Sequence, residues 1–457
     1  MARRGLAPAL LAAVCLSTLA GGQTAVGYRL SIPVTWAYYK PPVTTPPPAP
    51  GDPPKPIGPT FTCEVGASAL PTIAALAFTP DGKLLASAGY EEILLWDLGG
   101  ARLGRRLAVG QLGESVRALL FLDGGKTLAV GEGTAGKRGA VRLVDVASGQ
   151  FAFTFDQPKD VVNALALSPD GKLLAAACAD RNVYVYRLAD HSLVTTITGH
   201  NGYVQAVCFN ADGTLLATAG ADRSTRVWQT SDWKAEARLD MADGIFGLGF
   251  GGEDGKNMVM LVGGNNDNGL RIRNRETGNG VYNYDTNPGR PLSMAWDGKT
   301  NRLWMACSDG AVRALEFLKD QVNQPYTLTG HGDWVYGVAV SPDSHVATSS
   351  ADGTIRLWDG VKGQLLATLA QLAPRTDTWI IVSAPGYYTG SDPQFVGFKS
   401  AYISANAQAW QTALWKPEFV VQALAGEPPL PPGAPQPPPP KPAAPAKPVA
   451  PAAPAKH

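Results

Sequence analysis

The chain has 457 residues, with 39 lysines and arginines against 38 aspartates and glutamates, and its formal net charge is +1. This balance lacks the basic excess of proteins that bind a phosphate backbone, so we expect no nucleic-acid partner. Only 17% of the residues are charged, while 51 are glycine and 38 are proline. This composition excludes a coiled coil, argues against an ordinary helical enzyme and favours a turn-rich β protein.

The first residues have the layout of a secretory signal. Arg3 and Arg4 precede an apolar stretch over residues 6–19, and small residues follow it. We therefore expect residues 1–25 to be a signal peptide and the protein to be exported to the periplasm, the cell envelope or the extracellular space. The alternatives are an N-terminal membrane anchor, for which the end of the stretch is poorly apolar, and lipidation at Cys15. In the mature chain we expect no integral membrane span.

Proline is concentrated at both ends of the chain. Ten prolines fall within residues 41–59 and fourteen within residues 428–454. Such segments cannot build a packed core, so we predict a disordered linker over residues 26–59 and a disordered Pro/Ala/Lys tail over residues 427–457. The tail is interpreted as a solvated spacer, with weak contact to an anionic envelope polymer as the alternative.

Between these ends the sequence repeats. Each copy has an alternating apolar run, an Asp-Gly or similar turn, a second short run such as KLLASAG, and a third run that ends in Trp-Asp or a relic of it. Strands of this length joined by tight turns predict a propeller built from small twisted sheets, here with seven blades over residues 60–370. The turns recur at intervals of 42 to 47 residues, at Asp81, Asp123, Asp170, Asp212, Asp254, Asp297 and Asp343.

The two fullest copies resemble the WD-repeat propellers. They are TGHNGYVQAVCFNADGTLLATAGADRSTRVWQ, residues 198–229, and TGHGDWVYGVAVSPDSHVATSSADGTIRLWD, residues 329–359. The resemblance implies a structural, hydrogen-bonded set of four side chains in each copy, which pins the register of adjacent strands. The two sets are His200, Thr218, Asp222 and Trp228, and His331, Thr348, Asp352 and Trp358.

The other copies depart from this pattern. The first keeps Trp96 and Asp97 but has Tyr90 where the aspartate should stand, and the sixth is barely recognisable. A ring of blades also needs a strand that closes its seam. Residues 61–65 and residues 364–369 are both candidates, and we favour residues 61–65 because they would tie the two ends of the ring together.

Residues 371–426 form a further unit after the ring. The unit is similar to a short module that follows the propeller in bacterial WD-repeat proteins, including some that are fused to a caspase-like peptidase. The similarity is carried by Trp379, by the PGYYTGS stretch at residues 385–391 and by the Lys-Pro-Glu segment at residues 416–418. We expect a strand and a hairpin packed on the last blade, with a short helix around residues 418–424.

Two local patterns suggest bound ions. Gly131, Gly136 and Lys137 match the GxxxxGK part of a phosphate-binding loop, but Arg138 follows where Ser or Thr is needed and a strand comes next instead of a helix. Residues 265–269 (NNDNG) are rich in oxygen atoms, but the acidic residue that would close a calcium loop is missing. We expect plain turns at both places, and neither a metal nor a cofactor.

The residues that usually perform catalysis are scarce. Four cysteines follow the signal without forming a CxxC pair, and we expect them to be small buried hydrophobic residues. Two of the five histidines belong to the four-residue sets, and the chain has no GxSxG or HExxH motif. We therefore expect no enzyme, with a catalytic site assembled from several blades as the alternative.

The resemblance also implies a binding surface. In WD-repeat rings partners usually bind at the mouth of the central channel, through the residues third and fifth after each histidine. Tyrosine, tryptophan and arginine bury much area and keep a polar group, so they are common at binding hot spots. The candidates are Tyr203, Gln205, Trp334 and Tyr336 in the clear copies, and Arg117, Asn163, Phe246 and Arg290 by alignment of the weaker copies on their turns.

Together these observations predict a monomeric, non-enzymatic scaffold of the cell envelope that binds a protein or a peptide at the mouth of a WD-repeat propeller. One alternative is a propeller enzyme or a small-molecule-binding protein that uses the same face. Another is a structural envelope component that acts through its tail.

Overall fold

The computed structural model describes residues 29–33, 60–64, 70–252, 255–318, 322–392 and 414–427. The predicted signal peptide, the predicted tail beyond residue 427 and most of the predicted linker lie outside these residues. Seven antiparallel sheets follow one another along the chain. The all-β, seven-bladed propeller predicted from the sequence is therefore confirmed.

One part of the predicted linker is ordered. Strand β1 (Arg29–Pro33) pairs antiparallel with strand β2 (Thr60–Glu64) in a separate two-stranded sheet. Strand β1 precedes the part of the predicted linker in which proline is frequent, which begins at Pro41, and the segment before Pro41 is rich in strand-forming residues.

Each blade is one sheet of consecutive strands. Blade 1 has β3 (Ile73–Phe78), β4 (Leu84–Gly89), β5 (Ile93–Asp97) and β6 (Arg102–Leu107). Blade 2 has β7 (Ser115–Leu122), β8 (Thr127–Thr134), β9 (Arg138–Asp145) and β10 (Phe151–Phe155), with a 3-10 turn at Asp123–Gly125. Blade 3 has β11 (Val162–Leu167), β12 (Leu173–Cys178), β13 (Val183–Arg187) and β14 (Ser192–Ile197). Blade 4 has β15 (Val204–Phe209), β16 (Leu215–Gly220), β17 (Ser224–Gln229) and β18 (Ala235–Asp240).

The remaining blades continue this order. Blade 5 has β19 (Ile245–Gly251), β20 (Asn257–Gly263), β21 (Asn268–Asn274) and β22 (Gly280–Asp285). Blade 6 has β23 (Pro291–Asp297), β24 (Arg302–Cys307), β25 (Val312–Phe317) and β26 (Val322–Leu328). Blade 7 has six strands: β27 (Val335–Val340), β28 (His345–Ser350), β29 (Thr354–Asp359), β30 (Gln364–Gln371), β31 (Trp379–Ser383) and β32 (Tyr388–Gly390).

The turn between the first and second strand is built by local side-chain chemistry. In blade 3, Asp170 accepts the Ser168 hydroxyl at 2.6 Å and the Lys172 backbone N–H at 3.1 Å, and these bonds lower the pKa of Asp170 to about 2. Gly171 follows at φ 72°, a conformation that favours glycine. Asp81 makes equivalent bonds in blade 1. Such a turn needs only a few adjacent residues. The spacing of the turns could therefore be recognised in the sequence.

The first strands form the inner wall of the ring. Each first strand contacts the first strand of the next blade, and the series closes where β27 contacts β3. The sheets bury their apolar faces against one another, as in the cluster that joins Val141 and Leu143 of blade 2 to Leu174 and Tyr186 of blade 3. The first strands therefore line the central channel, and the start of each strand marks one end of it.

The seam between blades 7 and 1 differs from the prediction. Residues 61–65 were favoured as the closing strand, but β2 pairs with β1 and not with either blade at the seam. Residues 364–369, the other candidate, lie in β30, which is the fourth strand of blade 7, and every blade is made of consecutive chain.

Side-chain packing closes the seam. One apolar cluster joins Trp96 of blade 1 to Leu357 of blade 7, and it also takes in residues that follow the ring. The two added strands β31 and β32 extend blade 7, and helix α1 (Pro417–Leu424) packs on β30, β31 and β32. Trp379 lies edge-on to Trp96 with ring centroids 6.5 Å apart. Residues after the ring thus cover the joint between its last and first blades.

No helix in the described residues is long and apolar enough to cross a membrane.

We predict that Ile381→Ala destabilises the whole ring by about 2–5 kcal/mol, because Ile381 is fully buried in the seam cluster and its loss leaves a cavity. Urea unfolding followed by circular dichroism measures the free energy of unfolding. The control is Val361→Ala, since Val361 is 51% exposed in the same blade. Equal stability of the two variants, or a separate early transition that leaves the ring folded, would contradict a role of this segment in ring closure.

Candidate functional site

Four side chains form a continuous hydrogen-bonded set in blade 4. His200 Nδ1 lies 3.0 Å from Asp222 Oδ2, and His200 Nε2 lies 2.9 Å from Thr218 Oγ1. The indole N–H of Trp228 donates to the same Thr218 oxygen at 3.0 Å. A carboxylate only accepts, so Nδ1 carries the imidazole proton and Nε2 accepts from the hydroxyl. Blade 7 has the same arrangement at 2.8 to 3.1 Å, with His331, Thr348, Asp352 and Trp358 in these roles.

The aspartate of each set also holds the loop that enters the inner strand. Asp222 accepts the Asn201 backbone N–H at 3.0 Å, and Asp352 accepts that of Gly332 at 2.8 Å. In blade 3, which has no such histidine, Asp180 accepts the Lys159 backbone N–H at 2.9 Å. Each of these loops ends two residues later at the channel mouth, so the aspartate fixes the backbone that carries the mouth residues.

Where histidine is missing, the aspartate finds another donor. The donor is the residue four positions further along the chain, on the third strand of the same blade. In blade 6 the contact is a two-pronged ion pair with N–O distances of 3.1 and 2.5 Å. The three pairs are Asp180 with the Tyr184 hydroxyl, Asp267 with Arg271, and Asp309 with Arg313. The same spacing of aspartate and arginine also occurs in the histidine-containing blades, at Asp222 and Arg226 and at Asp352 and Arg356, so the spacing alone does not reveal the substitution.

These contacts set the protonation of the buried groups. Burial lowers the pKa of His200 and of His331, and the charge of the neighbouring aspartate only partly opposes this, so both imidazoles are neutral at neutral pH. Burial would raise the pKa of Asp352, but hydrogen bonds from His331, Thr354 and the Gly332 backbone outweigh it and lower the pKa. Arg313 likewise helps to lower the pKa of Asp309.

A β-bulge recurs at one place in every blade. Near the start of each inner strand one residue has no partner on the second strand, and the register shifts by one across it. A bulge re-aims a side chain. The bulge residues are Ala74, Arg117, Asn163, Gln205, Phe246, Leu292 and Tyr336.

The residue two positions before the bulge forms a second series. Its backbone carbonyl accepts an N–H from the loop after the second strand: at 2.9 Å in blades 3, 4, 6 and 7, and at 3.0 Å in blade 5. These five residues are Val161, Tyr203, Gly244, Arg290 and Trp334. By position in the strand, Thr72 and Ser115 are their counterparts in blades 1 and 2. We call the two series together the mouth face.

All the predicted binding residues belong to the mouth face, but in two different series. Arg117, Asn163, Gln205, Phe246 and Tyr336 are bulge residues, whereas Tyr203, Arg290 and Trp334 precede the strand. Sequence reasoning missed Leu292, the bulge residue of blade 6, and Ala74, that of blade 1.

The reason for missing Leu292 lies in the turn of blade 6. In most blades the aspartate stands in a turn after the inner strand, but Asp297 is the last residue of β23 itself. Counting back seven residues from the turn aspartate gives the bulge in blades 3, 4 and 7, and the same count in blade 6 gives Arg290. Counting from the start of the strand, where Leu292 directly follows Pro291, would have placed Leu292 correctly.

The mouth face brings distant blades into electrostatic contact. Partial loss of surrounding water lowers the pKa of Arg117, while Tyr336 of blade 7 and Asp160 raise it through charge. Burial and the charge of Asp333 raise the pKa of Tyr336, and Arg117 opposes this. Arg117 and Tyr336 thus influence each other's pKa although blade 1 separates blades 2 and 7.

Aromatic side chains give this face its apolar area. Trp334 is 46% exposed and its ring centroid lies 6.1 Å from that of half-buried Tyr336. Tyr203 of blade 4 is 49% exposed. The Arg290 guanidinium donates to Asn265 Oδ1 at 2.6 Å. Gln205 Oε1 is buried with no hydrogen-bond partner among the described residues, so a donor from a partner would relieve an unsatisfied acceptor.

The two segments that carry ion-binding patterns have other roles in the fold. The plain turn expected over the glycine-rich pattern is confined to Ala135, Gly136 and Lys137, because Gly131 lies inside β8, which ends at Thr134, and β9 begins at Arg138. In the NNDNG segment, Asp267 bonds to Arg271, while Asn265 accepts from Arg290. The described residues contain no cluster of three or more His, Cys, Asp or Glu side chains that could hold a metal.

Cys178, Cys208 and Cys307 are unreactive thiols. Burial raises the pKa of Cys178 and of Cys208 to about 12 and that of Cys307 to about 11. The thiolate is the nucleophile of cysteine chemistry. These three side chains therefore pack as small apolar groups.

Comparison with known families identifies WD repeats in this chain. The family described as "WD domain, G-beta repeat" matches residues 149–187, 191–229 and 323–359. Each matched segment begins near the outer strand of one blade and ends with the third strand of the next. The matches include both copies that carry the histidine-centred sets.

Curated relatives match parts of the chain. A WD repeat-containing protein of Synechocystis is 31% identical over 30% of this chain and 39% of its own length. A ciliary WD repeat-containing protein of Euplotoides octocarinatus is 29% identical over 23% of this chain and 14% of its own length. The transcription factor unc-37 of Caenorhabditis elegans is 28% identical over 39% of this chain and 30% of its own length. Each match thus spans well under half of the relative.

A solved structure shares the fold. A chain of the crystal structure of the mitotic checkpoint complex superposes with a TM-score of 0.56 at 17% identity, covering 63% of this chain and 90% of that chain. At this identity the likeness shows the propeller fold alone.

We predict that acidification from pH 7.5 to 5.5 destabilises the protein through its buried histidines. The folded-state pKa of His200, His331 and His345 is lowered, so the unfolded chain binds protons first, and stability falls as the pH drops through about 6.5. Each neutral buried histidine costs at most about 1.4 kcal/mol at pH 5.5. Urea unfolding at both pH values measures this loss.

The variant His331→Gln has one such group fewer, so its loss of stability between pH 7.5 and 5.5 is smaller than that of the wild type. An equal loss in both proteins would show that His331 is protonated equally in the folded and unfolded states.

Proposed function

We propose that this protein is a non-enzymatic scaffold of the cell envelope that binds a protein or a peptide on its mouth face. The observation that carries the proposal is a contrast within the repeat. The bulge recurs in all seven blades, but the side chains on it differ in every blade: Ala, Arg, Asn, Gln, Phe, Leu and Tyr. A constant backbone that displays variable side chains suits the recognition of one irregular partner surface.

The chemistry of the face supports a polypeptide partner. Exposed Trp334 and Tyr203 offer apolar area with a polar atom, and Arg117 and Arg290 add donors. Trp, Tyr and Arg are the residues enriched at hot spots of protein interfaces. The loops that carry Tyr203 and Trp334 are fixed by buried aspartates, so little conformational entropy is lost when a partner binds.

The relatives agree with a role in binding. WD-repeat propellers are a common scaffold for protein interactions, and the relatives described above are named as repeat-containing proteins or as a transcription factor. We further propose that residues 371–426 correspond to the module that flanks the propeller in bacterial WD-repeat proteins. In this chain the part of it that the structure describes covers the ring seam.

We also propose that the protein is exported. The support is the sequence of residues 1–25, with its basic start and its apolar stretch.

The binding proposal predicts that the triple variant Tyr203→Ala/Trp334→Ala/Tyr336→Ala loses at least about tenfold in affinity for its partner, since hot-spot truncations typically cost 2 kcal/mol or more. Affinity capture from envelope extracts identifies proteins that the wild type retains, and titration calorimetry with the purified candidate measures the dissociation constant. The variant stays folded because two of its three changes remove half-exposed rings.

The matched control is Leu193→Ala/Val281→Ala/Val361→Ala, which removes three exposed apolar side chains from outside the mouth face. The control retains the partner. If both triple variants bind like the wild type, the mouth face is not the binding site. Tight binding of a small molecule or metal at the mouth would instead favour the alternative of an enzyme or a small-molecule-binding protein.

The export proposal predicts that the full chain fractionates with the periplasm or the envelope of a Gram-negative host, and that a chain lacking residues 2–25 stays in the cytoplasm. Fractionation with immunoblotting against an internal tag makes the comparison. A double substitution of Arg3 and Arg4 by glutamate, which removes the basic start, also impairs export. Cytoplasmic location of the full chain would contradict the proposal.

A further inference from the structure

A second group of exposed aromatic residues lies at the opposite end of the channel from the mouth face. Trp296 is 52% exposed, and its ring centroid lies 5.9 Å from that of Phe317. Phe317 in turn lies 6.4 Å from Tyr282 of blade 5, and the adjoining Leu318 is 43% exposed. We call these four residues the lower patch.

The position of the lower patch follows from the strand order. Inner strand β23 begins at Pro291 next to the mouth face and reaches Trp296 near its far end, about 17 Å away at ~3.3 Å per residue. Phe317 is the last residue of the third strand in the same blade. Large exposed apolar groups that touch one another mark a binding surface more often than scattered ones do.

The chain leaves the described structure at this same end of the ring. Helix α1 ends at Leu424, and a side chain at Gly426 would lie 3.1 Å from His345 Nε2. His345 is the first residue of β28, directly after the turn at the lower end of blade 7. Residue 427 is thus close to the lower edge of blade 7.

Blade 6, which carries Trp296, is the neighbour of blade 7 at this edge. Arg302, paired opposite Asp297, donates to the Gly360 carbonyl of blade 7 at 2.7 Å. Burial lowers the pKa of His345, and the positive charge of Lys299, three residues after Trp296, lowers it further. The Arg302 hydrogen bond thus joins the turn beside the lower patch to blade 7, the blade against which Gly426 lies.

The sequence that follows has the composition that aromatic surfaces bind. Residues 428–440, PPLPPGAPQPPPP, contain nine prolines and no charged residue. Proline-rich segments favour the polyproline II helix, which docks on grooves lined by aromatic side chains at a small cost in entropy. Thirteen residues in this form extend about 40 Å at ~3.1 Å per residue, which is enough to cross from one blade to the next.

We infer that residues 428–440 dock on the lower patch of their own chain. Trp296, Phe317 and Tyr282 stack on the proline rings, and Leu318 adds an apolar edge. Because residue 427 is held close to the patch, the segment is present at a high effective concentration, and a weak contact is sufficient to keep it bound. The lack of charge in the segment matches a patch made of apolar and aromatic side chains.

The full-length chain labelled with 5-fluorotryptophan tests this inference. The Trp296 signal in the fluorine NMR spectrum is assigned from its loss in Trp296→Phe. Replacement of the nine prolines of residues 428–440 by serine then shifts the Trp296 signal and increases its broadening by a soluble paramagnetic reagent. The Trp334 signal, from the opposite face, stays unchanged and serves as the internal reference. A synthetic peptide of residues 427–440 added to the serine variant moves the Trp296 signal back.

The matched control replaces the five prolines of residues 442–454 by serine, and it leaves the Trp296 signal at its wild-type position. An identical Trp296 signal in the wild type and in the 428–440 variant would overturn the inference, as would an equal shift in the control. A wild-type Trp296 signal that moves to the variant position on dilution would show that a second copy, and not the same chain, supplies the segment.

Discussion

The mouth of this propeller depends on one buried carboxylate in each of several blades. Asp180, Asp222 and Asp352 stand at the same place after the second strand, and each accepts a backbone N–H from the loop that enters the inner strand. Two residues further on, the loop reaches the channel mouth at Val161, Tyr203 or Trp334. The carboxylate also contacts a polar side chain on its own blade, and that side chain can be histidine or tyrosine without changing the loop. Backbone position and side-chain identity at the mouth are thereby independent of each other.

The number of blades could be predicted from the sequence because blades repeat a turn that depends only on neighbouring residues. An aspartate that bonds to nearby Ser or Thr hydroxyls and to a backbone N–H two residues on makes the same turn wherever it occurs. The mouth residues depend instead on strand register. Counting from the turn succeeded in blade 4 and gave Arg290 in blade 6, because Asp297 there belongs to the strand. The pairing of Asp309 with Arg313 in place of a histidine was also not predicted. It can be recognised only in the folded structure, where the two side chains meet.

Closure of the ring shows a further limit of sequence reasoning. The WD-repeat matches begin near an outer strand and end within the next blade, so a repeat is offset from a blade by one strand. In this chain each blade nevertheless consists of consecutive strands, from β3 to β30. Among the described strands none is shared across the seam, and the joint relies on packing among Trp96, Leu357, Ile381 and Leu424. Residues outside the seven repeats therefore contribute to holding the repeats together, which no pattern within a single repeat could indicate.

The hydrogen bonds that hold the mouth loops also limit the chemistry that nearby side chains can perform. His200 and His331 are buried, hydrogen-bonded on both ring nitrogens and neutral, so neither is free to transfer a proton at the surface. Cys178, Cys208 and Cys307 are protonated in the core, and the carboxylates nearest the mouth loops accept backbone and side-chain donors. Groups that suit acid–base or nucleophilic chemistry are thus committed to holding the backbone, whereas the exposed positions carry Tyr203, Trp334 and Arg117. Rigid loops that present aromatic and cationic side chains suit the selective binding that we propose, because their geometry is fixed before a partner arrives.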